Sequence, residues 1–252
     1  MSPEKKVAIV TGASRGIGKA IALALAKEKI NVVVAARSET EGRLPGTIHK
    51  TVEEIQDSGG DALAVKTDVT SEEDVNGMLQ KTLEHYGRID ILVNNAGIDV
   101  PGTFMEVSTR RWDLIIGVNL KGMFLCTKTV LPLMIKQGSG SIINLGSILG
   151  TKVISGGVAY GVTKAAIERF TIGLAQEVRQ YNIAVNALCP GYTETEAVLM
   201  FFPDIDRSSL QKVETWGRYA VFLATQDVSS LTGKYLYAED LEELISSRPQ
   251  TH

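Results

Sequence analysis

The chain has 252 residues, 44% of them apolar and 22% charged, with a formal net charge of −3. That balance is ordinary for a globular protein with a sizeable core, and it offers no basic stripe for a polymeric phosphate, which excludes nucleic acid as a partner. Lys5 and Lys6 precede an apolar run broken at Thr11 and Gly12, too short for a signal-peptide core, and no later segment reads as a membrane span; the expectation is a cytoplasmic protein with no membrane partner.

The first predicted element is a strand, Val7-Ala8-Ile9-Val10, followed by the turn Thr11-Gly12-Ala13-Ser14-Arg15-Gly16-Ile17-Gly18 and an alanine-rich helix from Lys19 to Ala26. Glycines in such a turn let the backbone take positive φ and approach a ligand, while the helix behind it offers unpaired N–H groups and the positive end of its dipole. A pyrophosphate belongs there. The spacing is G-x-x-x-G-x-G rather than G-x-G-x-x-G, so by itself the turn also fits a tight connection with no ligand.

Asn31 to Ala36 is the second strand and completes a βαβ unit. Arg37 ends it. In dinucleotide folds this position faces the adenosine ribose, where an acid suits a free 2′-hydroxyl and an arginine a 2′-phosphate. Ala35 and Ala36 supply no acid, and Arg15 offers a second cation, so the sequence favours NADP, with NAD as the alternative; two surface arginines are the plainer reading.

Residues 38–48 form an extended loop before a helix over 51–57, which Gly59-Gly60 ends. A third strand over 62–66 leads to Asp68-Val69. Ser71 with Asp74 has capping-box spacing for a helix over 72–85, closed by Gly87. A buried-strand run, 89–93, delivers Asn94-Asn95-Ala96-Gly97. Residues 109–135 repeat apolar side chains at helical spacing, with Asn119 inside the apolar stretch. A strand over 141–145 ends at Gly146-Ser147, and a helix over 159–179 carries Tyr160 and Lys164. A strand over 183–188 ends at Cys189-Pro190-Gly191. Residues 193–210, with Phe201-Phe202-Pro203, read as a substrate flap with an apolar inner surface; a helix over 216–225, a strand over 234–237 and an acidic helical tail follow. Two cysteines, Cys126 and Cys189, make neither a disulfide framework nor a zinc site and read as small buried hydrophobes, and the scattered His49, His85 and His252 carry no catalytic pattern. No linker divides the chain, so residues 1–252 read as one α/β domain.

Taken in order, the glycine turn, Asp68-Val69, Asn94-Asn95-Ala96-Gly97, Asn119, Ser147, Tyr160-x-x-x-Lys164 and Pro190-Gly191 resemble the short-chain dehydrogenase/reductase family, including its 3-oxoacyl-carrier-protein reductases, over about residues 6–233. The resemblance implies a single doubly wound Rossmann-like domain with a seven-stranded parallel sheet, helices on both faces, and a homotetramer or homodimer joined through the long helices. It implies that Gly12, Ser14, Arg15, Gly16, Ile17 and Gly18 hold the cofactor's phosphates and that Asp68 and Val69 flank the adenine. It further implies that Asn95 and Gly97 border the adenosine ribose, and Pro190, Thr193 and Thr195 the nicotinamide amide. Read alone, Asp68 is also a loop acid capping the next helix, and Asn94-Asn95 a pair of turn residues. Where the family ends its last strand with aspartate and paired glycines, this chain has Tyr237-Ala238-Glu239-Asp240, and the longer loop 38–48 adds Arg43 near the 2′-phosphate position.

Tyr160 and Lys164 lie one helical turn apart and so share a face. A free phenol, with a pKa of ~10, is a poor base at neutral pH; a nearby ammonium and an oxidised nicotinamide are expected to lower it, so that Tyr160 exchanges a proton with the substrate oxygen while hydride moves at the adjacent carbon. The resemblance gives Ser147 the substrate carbonyl, Lys164 the nicotinamide ribose and Asn119 a water linking Lys164 to solvent; alone, Asn119 also reads as a helix asparagine bonding its own backbone. The expected activity is hydride transfer between NADP(H) and a small carbonyl or secondary alcohol substrate. A cofactor-binding regulatory or scaffold protein with little turnover is the competing reading, as is an NAD-dependent alcohol dehydrogenase of the same family.

Overall fold

A computed structural model describes residues 5–247. Seven strands run parallel in the order β3-β2-β1-β4-β5-β6-β7: β1 (Val7–Thr11), β2 (Asn31–Ala36), β3 (Ala62–Lys66), β4 (Ile91–Asn94), β5 (Gly140–Leu145), β6 (Ile183–Leu188) and β7 (Tyr235–Leu236). Both faces are covered, which is why the central strands are unbroken runs of Val, Ile, Leu and Ala instead of alternating ones. Along β1, Ala8 and Val10 join one core while Val7 and Ile9 join the other. The first core takes Ile21 and Leu25 of α1 (Gly16–Lys27), Ile48 and Ile55 of α2 (Ile48–Asp57), and Trp216 and Leu223 from the helix Val213–Ala224. The second takes Val75 and Met78 of α3 (Glu72–Tyr86), together with Val130 and Val178 from the two long helices.

The chain winds outward from β1 to β3, then crosses back to lay β4 on the other side of β1. That reversal opens a crevice at the carboxyl ends of β1 and β4, where a doubly wound sheet binds ligands. The glycine turn and Asn94-Asn95 meet there.

Element positions agree with the sequence reading, with shifts at their ends. Helix α2 starts at Ile48 rather than residue 51, because Thr47 accepts the Lys50 N–H as N-cap. Ser71 caps α3, but Asp74 accepts the N–H of Asp68 instead of closing a capping box, and Gly87 ends the helix at φ 74°. The long helical stretch is α4 (Thr109–Ile116), a π-helical segment (Gly117–Gly122) and α5 (Met123–Gln137). Long and apolar enough to cross a membrane by composition, it instead buries Ile115, Val118, Cys126 and Val130 inside the domain. Helix α6 (Val158–Val178) follows β5. The flap region carries α7 (Glu196–Phe201), then come α8 (Val213–Ala224) and, after β7, the acidic helix α9 (Ala238–Ser246). His252 and the end of the tail lie outside the described residues.

Candidate active site and cofactor cleft

The crevice floor is set by close packing. Gly12 and Gly16 take φ of 67° and 57°, and a Cβ on Gly12 would come within 2.9 Å of the Ala96 Cα. A Cβ on Gly18 would overlap the Asn95 amide and the Gly12 carbonyl, so Gly18 brings α1 against the loop after β4. Asn95 fixes that approach by donating to Thr11 O at 2.8 Å and Gly12 O at 3.2 Å. Helix α1 begins behind Arg15 with no side chain capping it and no acid in its first turn, which leaves its N–H groups and positive dipole end for an anion. These features fit a dinucleotide pyrophosphate.

The cations are arranged differently from one another. Arg15 donates to Pro45 O, Ser38 Oγ, Leu44 O and Gly46 O, stitching the loop 38–47 over the turn. Arg37 stays open, its side chain 62% exposed, with one guanidinium nitrogen 3.8 Å from Asp68. Burial pushes the Asp68 pKa up, but the Thr70 N–H and hydroxyl, with Arg37 behind them, hold it below the usual carboxylate value. Asp68 therefore closes its own turn at Thr70, whereas the cap of α3 is Ser71 and not Asp68, which corrects one reading of the sequence. Arg43 lies over the Phe201 ring, 5.5 Å from its centre, joining the long loop to the flap. Val69 is buried against Gly122, where a Cβ would overlap its methyl group.

At the other end of the crevice, Ser147 follows β5 and Tyr160 and Lys164 project from α6. The Ser147 hydroxyl accepts the Leu149 N–H at 3.2 Å and acts on the Tyr160 phenol, favouring its ionised form. Lys164 is 5% exposed, donates to Leu145 O at 2.7 Å and holds its ammonium 5.2 Å from the centre of the Tyr160 ring. Burial lowers the Lys164 pKa to about 8, with Cys189 and Asp99 opposing the shift. The Tyr160 pKa is raised, first by burial and then by the charge of Asp99, and Ser147 offsets only part. With the protein's own groups alone, Tyr160 is thus a protonated phenol, the opposite direction from the one its spacing to Lys164 led us to expect.

Asn119 does not bond its own backbone. Its side chain accepts from Ile98 N at 2.9 Å and donates to Ile98 O at 3.0 Å and Thr163 Oγ1 at 3.1 Å, tying the loop after β4 to α6 across the π-helical segment. Gly97 lies beside it, a Cβ there falling 3.5 Å from Asn119 Oδ1. Pro190 accepts the Ile148 N–H, Thr193 accepts from the Trp216 indole at 2.9 Å, and Thr195 caps α7 while its methyl group approaches Gly16. The flap therefore folds back over the glycine turn.

Three contributors had no sequence signal. Tyr235 donates to Ser147 O at 2.7 Å, and Tyr237 shares a 2.6 Å hydrogen bond with Thr151; the atypical tail therefore supports the serine loop. Asn144 links Asn94 to Thr171 beneath the site. Cys189 is buried beside them, its thiol pushed up to about 12, in keeping with a small hydrophobe.

Residues 6–204 match the family model of the short chain dehydrogenases. The chain belongs to the short-chain dehydrogenase/reductase family. A 3-oxoacyl-(acyl-carrier-protein) reductase of Synechocystis is 42% identical over 207 residues, covering 79% of this chain and 81% of that protein. One from Staphylococcus epidermidis is 35% identical over 240 residues, covering 92% and 96%. Among solved structures, a variant of the actinorhodin polyketide ketoreductase with NADPH superposes with a TM-score of 0.85 at 29% identity, covering 94% of this chain and 97% of that one. A gluconate 5-dehydrogenase from Burkholderia cenocepacia in complex with NADP and tartrate gives 0.81 at 28%, covering 92% of each. This short-chain dehydrogenase is accordingly an NAD(P)-dependent oxidoreductase acting on carbonyl and alcohol groups.

Proposed function

We propose that the protein is an NADP(H)-dependent ketone reductase and secondary alcohol dehydrogenase with Tyr160 as general acid and base. The observation that carries this reading is the buried Lys164 ammonium 5.2 Å from the centre of the Tyr160 ring, with Ser147 acting on the same phenol. In reduction, Ser147 donates a hydrogen bond to the substrate carbonyl and stabilises charge growing on its oxygen. A nicotinamide dinucleotide, when held by the glycine turn and α1, would supply the hydride that reduces the carbonyl carbon. Tyr160 gives its proton to that oxygen, and the resulting phenolate is stabilised by Lys164, so one hydride and one proton convert C=O to CH–OH. A raised Tyr160 pKa keeps the proton in place until it is needed. Asn119, with its amide committed to Ile98 and Thr163, acts here as a positioning residue, not as a relay through its side chain.

The glycine turn and α1 hold the pyrophosphate. Arg37 takes the 2′-phosphate, since its exposed 3.8 Å approach to Asp68 is a weak tie; Asp68, Val69, Asn95 and Gly97 line the adenosine side, and Pro190, Thr193 and Thr195 the nicotinamide side. Residues 193–210 serve as the substrate flap, with exposed Tyr192, Phe201 and Phe202 offering apolar surface. Leu114, Phe124, Val158, Val162 and Ile172, exposed along the long helices, support a homodimer or homotetramer joined there, and two free buried cysteines fit a reducing, cytoplasmic compartment. The test is Tyr160→Phe: turnover of ketones with NADPH is expected to fall by about 100-fold or more, with NADPH binding retained. Turnover at the wild-type level would refute the assignment.

A further inference from the structure

Asp99 is an acid with no part in the chemistry just described, yet its neighbours are fixed to the catalytic residues. Ile98, before it, is held at both backbone groups by Asn119. Val100, after it, is buried in a small apolar cluster with Ile98, Ile115, Ala159 and Tyr160. Asp99 is therefore held over the face of α6 that presents Tyr160, at the exposed mouth of the cleft. Its Oδ1 accepts the Val100 N–H at 2.7 Å, and no described residue donates a hydrogen bond to Oδ2.

We infer that Asp99 selects the substrate: it favours ketones and alcohols whose group next to the reacting carbon is uncharged or a hydrogen-bond donor, and rejects those carrying a carboxylate there. The inference rests on the ketone reductase reading and narrows it to a substrate class. A substrate oxygen reaching Tyr160 brings its flanking substituent beside Asp99. There the free carboxylate oxygen accepts an N–H or O–H, and repels an anion, an effect that solvent at the cleft mouth moderates. The groups facing Asp99 are Arg111 of α4 and Tyr160 and Lys164 of α6, with Cys189 at the end of β6 behind Lys164. Desolvation raises the Asp99 pKa while the Val100 N–H, Arg111 and Lys164 oppose it, and its charge in turn raises the pKa of Tyr160 and of Lys164.

The probe is a neutral and anionic pair of matched shape, 2-hydroxyoctanamide and 2-hydroxyoctanoate, whose binding is measured by calorimetry with NADP present, for the wild type, Asp99→Asn and Asp99→Glu. The wild type is expected to prefer the amide by about tenfold, the scale of two unit charges about 6 Å apart at an effective dielectric near 40, as suits an exposed carboxylate. Asp99→Asn should shrink that preference to about twofold, and Asp99→Glu should keep most of it. An unchanged ratio in Asp99→Asn, a wild-type preference for the acid, or no binding of either compound overturns the inference. Because the readout is binding, absence of ketone turnover would count against the proposed function and leave this test standing. Where turnover is present, Asp99→Asn should also move the acidic limb of the alcohol-oxidation pH profile to lower pH, which a merely structural role would not do.

Discussion

The Tyr235 hydroxyl donates to the backbone carbonyl of Ser147 at 2.7 Å, so the last strand of the sheet holds the loop that carries the serine. Replacing Tyr235 with Phe removes one net hydrogen bond, about 1 kcal/mol, and frees that loop. We expect a stability loss of that size in urea unfolding, with kcat lowered about three- to tenfold and NADPH affinity unchanged. A variant with wild-type kcat would show that the serine loop needs no such support.

Lys164 holds a charge where burial opposes it. Its pKa is lowered to about 8 in the folded chain from 10.5 when exposed, so the unfolded state binds the proton over the interval between. Stability from this group therefore rises as pH climbs from about 8 towards 10.5 and is flat below that range. Lys164→Met removes the buried ammonium and is expected to unfold at the same or a higher temperature at neutral pH, with turnover lost. The wild type should gain on the variant as pH rises through this window; thermal unfolding at a series of pH values reads the difference.

Gly18 belongs to the fold before it belongs to the cofactor. A methyl group there overlaps the Asn95 amide and the Gly12 carbonyl, and neither can withdraw without opening the turn. Gly18→Ala is expected to cost about 1–3 kcal/mol and to weaken NADPH and NADH alike. Selective loss of one cofactor would contradict this account.

The two arginines should separate by experiment. Arg37→Ala is expected to weaken NADPH binding by about tenfold while leaving NADH almost unaffected, since only the former carries a 2′-phosphate. Arg15→Ala cuts four hydrogen bonds to the loop 38–47, so limited proteolysis should find that loop cleaved faster. Equal NADPH and NADH affinity in the wild type would remove the case for Arg37.

The order of elements and the motifs at the strand ends were legible in the chain because each is local. A buried strand, a glycine turn and an i, i+4 pair declare themselves within a few residues. The start of α2 was misplaced because one cap, Thr47, outweighed the polar residues after it. Asn119 was singled out as a buried amide, but its partners, Ile98 and Thr163, lie 21 and 44 residues away and no spacing rule reaches them.

The amino-acid order by itself determined the succession of strands, glycine turns and helices, with Ser147 at the end of a strand and Tyr160 and Lys164 on one helix face, since hydrophobic period and turn chemistry are local; the doubly wound sheet followed from the family resemblance those motifs carry. Only the tertiary structure decided that Arg15 holds a loop while Arg37 stays open, that Tyr235 reaches Ser147, and that burial and Asp99 raise the Tyr160 pKa. Those outcomes depend on desolvation and on charges brought together from distant parts of the chain, quantities that exist only once the chain has folded.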